Sequence, residues 1–178
     1  MTSDTQHTNT GALLSRSDHE KRLLERDAAK LFMHQYELQF GEPMRHIWHN
    51  EPAKPDISCY FQETQLDLEI AHLYATKEEA RHVREPNNDD RLWDYLAELV
   101  TIDICKQLET ALLRLLNSKT KKHYDSDRVW LVIRNASTLW DRKQILDTLK
   151  QFKCQEYPFE QIWILPDFDG EEGLIKVV

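Results

Sequence analysis

Pro55–Tyr74 reads PDISCYFQETQLDLEIAHLY, and the fold turns on how that stretch is parsed. Asp56–Phe61 is rich in strand formers. Gln62-Glu63-Thr64 is a polar turn. Gln65–Tyr74 then alternates, so Leu66, Leu68 and Ile70 share one face and Asp67, Glu69 and Ala71 the other. A half-buried strand usually shows neutral polar groups on its open face. This one shows two carboxylates, with Asp56 beginning the strand beside it. Acids on adjacent strands repel and hold protons more tightly unless a cation lies among them. The pattern therefore predicts either a Mg²⁺-type site built from hard oxygen ligands or a hairpin with hydrated acids.

Outward from the hairpin, the chain predicts a single α/β domain over 17–178, preceded by a polar, disordered tail at 1–16. Ser17-Asp18-His19-Glu20 opens a helix that runs to Phe40 and stops at Gly41. Its apolar stripe is read as Leu24, Ala28, Leu31, Phe32, Gln35 and Leu38. Residues 42–54 read as an irregular loop holding Trp48, either a plug under the loop or a surface for a nucleic-acid base. After the hairpin comes a charged linker with a small basic cluster, Arg81, His82 and Arg84. A long helix starts at Asp89 or Asp90 and reaches Asn117. Arg128–Arg134 and Phe159–Leu165 are buried strands, Leu139–Phe152 is a helix between them, and Leu174–Val178 is an edge strand. Strand–helix–strand crossovers with apolar strands predict a mixed sheet with helices on both faces.

The 178-residue chain has a formal net charge of -8, so any nucleic-acid surface must be local. Its densest basic patch is Lys119, Lys121 and Lys122, at the end of the long helix. The three cysteines are widely spaced and read as reduced thiols of a cytoplasmic protein, and the eight histidines form no zinc pattern. No stretch reads as a signal peptide or membrane span.

Pro55-Asp56, followed by Glu69 within a strand, resembles the PD-(D/E)xK motif of restriction-endonuclease-like nucleases. The element order over 18–165 is similar to that superfamily's core. The resemblance implies a restriction-endonuclease-like fold, Mg²⁺ or Mn²⁺ as cofactor, and metal held by Asp56 and Glu69 with help from Asp67. It also implies a lysine two residues after the Glu, where this chain has Ala71. In the superfamily that lysine can come from another element, and Lys119 is the first candidate here, Lys106 the second. Alternatively Asp67-Leu68-Glu69 is a shifted motif with Glu69 in the lysine place. A helix acid often joins such sites, and Glu37 is the candidate. Three functions follow: a metal-dependent nuclease, a nuclease-like domain that has lost catalysis and binds a protein, or a domain unrelated to nucleases.

Overall fold

A computed structural model describes residues 16–50, 54–75, 104–152 and 156–178. The tail, the Arg81–Arg84 cluster and the proposed start of the long helix lie outside the described residues. The described elements are α1 (Arg16–Phe40), β1 (Met44–His49), β2 (Ile57–Phe61), β3 (Thr64–Leu73), α2 (Ile104–Thr120), β4 (Val129–Asn135), α3 (Arg142–Gln151), β5 (Gln161–Leu165) and β6 (Ile175–Lys176).

The strands form one sheet in chain order, β1 to β6. β2 runs antiparallel to both β1 and β3, β3, β4 and β5 run parallel, and β6 returns antiparallel at the far edge. The parallel joints need crossovers, which α2 and α3 supply. The expected α/β architecture with a mixed sheet between helices is therefore observed.

Alternation in the strands divides the core in two. Leu66, Leu68 and Ile70 of β3 join Trp130, Val132 and Trp163 under α1. Ala71 and Leu73 join Leu131, Ile133 and Ile162 under α2 and α3, against Leu108, Leu112 and Ile145. Cys59 is wholly buried on the α1 side. The buried stripe of α1 differs from the expected one. Ala28, Ala29, Phe32 and Tyr36 face the sheet, whereas Leu38 is 66% exposed. Phe32 and Tyr36 decide the rotation because their rings nest against Trp130 and Trp163, with centroids 5.5–6.3 Å apart. α1 stops where Gly41 takes φ +70 and its N–H returns to the Glu37 carbonyl, a left-handed cap that suits glycine. Asp141 caps α3 through a reciprocal box with Gln144.

The loop expected over 42–54 is instead largely a strand, β1, paired with β2. A bulge between Arg45 and Trp48 breaks its alternation, so no period shows in the sequence. The expected three-residue turn contains only two residues. Gln62 and Glu63 both have positive φ, and Thr64 already pairs with Phe61. No described helix is long and apolar enough to cross a membrane.

Candidate active site

The hairpin register pairs Ile57 with Leu68 and Ser58 with Asp67. Continued by one residue, it sets Asp56 level with Glu69. Directly opposed residues share a face, so Asp56, Ser58, Asp67 and Glu69 all look toward the α2 side of the sheet. β2 gives out at Ile57. The Ile70 peptide beyond it has no strand partner on that side and would be left with unsatisfied groups. Two side chains take the place of the missing strand. Asp56 Oδ2 accepts from the Ile70 N–H at 2.9 Å, and Lys119 Nζ donates to the Ile70 carbonyl at 2.9 Å.

Lys119 Nζ also lies 2.6 Å from Glu69 Oε1, and Lys122 Nζ lies 2.9 Å from the same oxygen. Glu69 is 1% exposed, a burial that a carboxylate withstands only when paired. Lys119 sits on the last turn of α2 and Lys122 just beyond it. Cations are favoured there by the helix dipole, and the last turn is pinned by the Tyr124 hydroxyl donating to the Lys119 carbonyl at 3.1 Å. Ala71, in the place of the motif's lysine, lines a cleft of about 210 Å³ that Lys119 also lines, with Ser118, Lys21 and Glu25. The helix thus brings an ammonium into the space beside Ala71.

Electrostatics mark the same spot. Burial and then the Glu69 carboxylate raise the Asp56 carboxyl above its usual range, against the opposing pull of Lys119 and the Ile70 N–H. Burial and then Asp56 raise Glu25, opposed by Lys21 at 3.2 Å. Burial works against the charge of Lys122, but the Glu69 carboxylate prevails and holds its ammonium above the ordinary lysine value. Tyr124 is pushed up by burial, then by Glu69 and Asp56.

The other expected residues are placed differently. Asp67 is buried but does not join Asp56 and Glu69. Ser58 Oγ donates to it at 2.5 Å and Gln65 Nε2 at 2.9 Å, and Ser58 is itself held by Asn50. Strand parity put Asp67 on the right face, and its hydroxyl neighbour on β2 captured it. Among the described residues no three His, Cys, Asp or Glu side chains group as a metal cage, so the trio Asp56, Asp67 and Glu69 does not converge. Glu37 lies far along α1 in an exposed bidentate pair with Arg45, both distances 3.1 Å. The helix acid nearest the site is Glu25, buried on α1, which the sequence reading missed. Its one signal was its place one turn before Ala28 and Ala29 on the inward stripe. Lys106 sits on an exposed part of α2, and Lys121 is exposed beside Lys122.

Asp56, Glu69 and the Ile70 carbonyl offer hard oxygens of the kind Mg²⁺ and Mn²⁺ prefer. The donor types suit such an ion, but here Lys119 Nζ occupies both Glu69 Oε1 and the Ile70 carbonyl. Comparison of the chain with known protein families, characterised proteins and solved structures returned no match.

Proposed function

We propose that this chain is a metal-dependent nuclease of the restriction-endonuclease-like type that hydrolyses phosphodiesters slowly. One observation carries the reading. The Lys119 ammonium bridges Glu69 and the Ile70 carbonyl, beside the Ala71 position where the PD-(D/E)xK motif has its lysine. The antiparallel-then-parallel sheet with the acids on its second and third strands supports the same fold assignment.

Asp56, Glu69 and the Ile70 carbonyl would hold Mg²⁺ or Mn²⁺, which when bound lowers the pKa of water and offsets phosphate charge. Asp56 needs to be ionised for this, and Lys119 favours that state. Lys119 donates toward the attacking water or a non-bridging phosphate oxygen, stabilising charge as it develops. Lys122 helps hold Glu69 in place through its contact at 2.9 Å. Glu25 and Lys21 line the same cleft as Lys119. Lys121 and Lys122 would meet the nucleic-acid backbone.

A second reading has its own support. Two lysines on one Glu69 oxygen neutralise that acid without a metal, as expected of a nuclease-like domain that has lost catalysis and binds a protein. The test is cleavage of single- and double-stranded DNA and RNA by purified protein with Mg²⁺ or Mn²⁺. Slow cleavage lost in Glu69→Gln, and reduced about 100-fold in Lys119→Ala, is the expected outcome. Cleavage that survives Glu69→Gln rejects the site. No cleavage in the wild type together with activity in Ala71→Lys selects the second reading.

A further inference from the structure

β1 pairs Met44 with Phe61 and Arg45 with Tyr60, then Trp48 with Ser58. His46 and Ile47 together therefore stand opposite Cys59. His46 takes φ +58, a left-handed conformation that a residue with a β-carbon adopts at a cost. The bulge resets the alternation of the strand. Without it Trp48 would share the parity of Met44 and point at the α1 core. With it, Ile47 packs on that core and Trp48 turns to the opposite face, the one that carries Tyr60, Ser58 and Asp56.

On that face the Trp48 and Tyr60 rings are 5.4 Å apart at 52°, and His46 meets the Tyr60 edge at 6.1 Å. Neither Trp48 nor Tyr60 belongs to either apolar cluster of the described residues, and Tyr60 is 45% exposed, whereas its neighbour Phe61 is 3% exposed. Tyr60 lies four residues along β2 from Asp56, about 13 Å at ~3.3 Å per residue. Cations flank this path. Lys122 lies on Glu69, with Lys121 beside it. In a chain of net charge -8 this concentration of positive charge is local.

We propose that Trp48 and Tyr60 form a stacking platform for unpaired bases, so that the substrate entering at Asp56 and Glu69 is single-stranded nucleic acid. Two aromatic faces beside cations match the two parts of a single strand, its bases and its phosphates. A duplex keeps its bases stacked on one another and offers nothing to the platform. The role of the strand as substrate rests on the nuclease reading. The binding site itself does not.

The test is fluorescence anisotropy of labelled oligothymidylate, oligouridylate and a mixed-sequence duplex of equal length, with the full chain in EDTA. The single strands are expected to bind more tightly than the duplex. Trp48→Ala and Tyr60→Ala should each weaken single-strand binding about tenfold or more, and Trp48→Phe should keep most of it. Thermal melts of each variant identify any that unfold, and Trp48→Leu with Tyr60→Leu then carry the test. Unchanged binding in folded Trp48 and Tyr60 variants overturns the platform, as does preference for duplex. Metal-dependent cleavage of duplex alone would overturn the platform and leave the nuclease standing. Trp48-dependent binding with no cleavage under any metal would do the reverse. The thymidylate and uridylate arms tell DNA from RNA.

Discussion

At the scale of single residues, Glu69 is the most constrained group in the site. Its Lys119 partner is largely buried, so Lys119→Met should destabilise the fold by about 3 kcal/mol, the low end for breaking a buried pair because Lys122 stays behind. Lys122 is half exposed and solvent screens it, so Lys122→Met should cost under about 1 kcal/mol. Urea unfolding separates the two. Asp56 behaves in the opposite sense. Its carboxyl is raised from the ordinary 3.8 by burial and then by Glu69, so the folded chain holds a proton there that the unfolded chain releases. Stability from this group falls as pH climbs from 3.8 through the raised value. Glu25 adds a slope of the same sign above its ordinary 4.5. Asp56→Asn should flatten that slope and leave the metal-free protein as stable as wild type or more so at pH 7. It should also abolish any rise in melting temperature on adding Mg²⁺. A clear loss of stability without metal would mean that the hydrogen bond from Ile70 outweighs the repulsion.

At the scale of elements, the β2–β3 turn holds Gln62 and Glu63 at φ +51 and +63, where glycine and asparagine are at ease. Gln62→Asn with Glu63→Gly should raise stability by about 1 kcal/mol, a fraction of the left-handed penalty of about 1–2 kcal/mol per residue. Thermal melts check it. That turn also shows what the sequence could and could not reveal. Alternation in Leu66–Ala71 announced both the strand and the face its acids share, because one buried face leaves no freedom of register. The unbroken apolar runs around Trp130 and Trp163 announced the parallel strands. Gln62-Glu63 carries no Asn-Gly signal, so the turn was read one residue too long. β1 was hidden because its bulge puts Met44 and Ile47, three residues apart, on the same face and so breaks the period of two. Asp67 had the right parity, but the hydrogen bonds from Ser58 and Gln65 that draw it away are tertiary. Glu25 was one acid among many on a charged helix until the sheet showed which way it faced.

At the scale of the whole molecule, the acidic balance means that the proposed association with nucleic acid would depend on a few placed cations rather than on net charge. Single-strand affinity should fall with salt, and Lys121→Gln should reduce the log–log slope by about 0.7, one phosphate contact. An unchanged slope would show that the basic end of α2 does not meet the strand. The site itself joins parts of different range. Asp56 and Glu69 belong to one hairpin, whereas Lys119 arrives from 50 residues beyond Glu69, on the last turn of a helix. A strand lysine at position 71 would keep its side of the sheet under any change elsewhere in the chain. A helical one depends on phase. Each residue inserted or deleted between Leu108 and Lys119 would swing the ammonium about 100° around the α2 axis and shift it ~1.5 Å along it. A chain that carries its lysine this way tolerates length changes in its loops but almost none within α2, and related sequences should show that helix as a block of constant length.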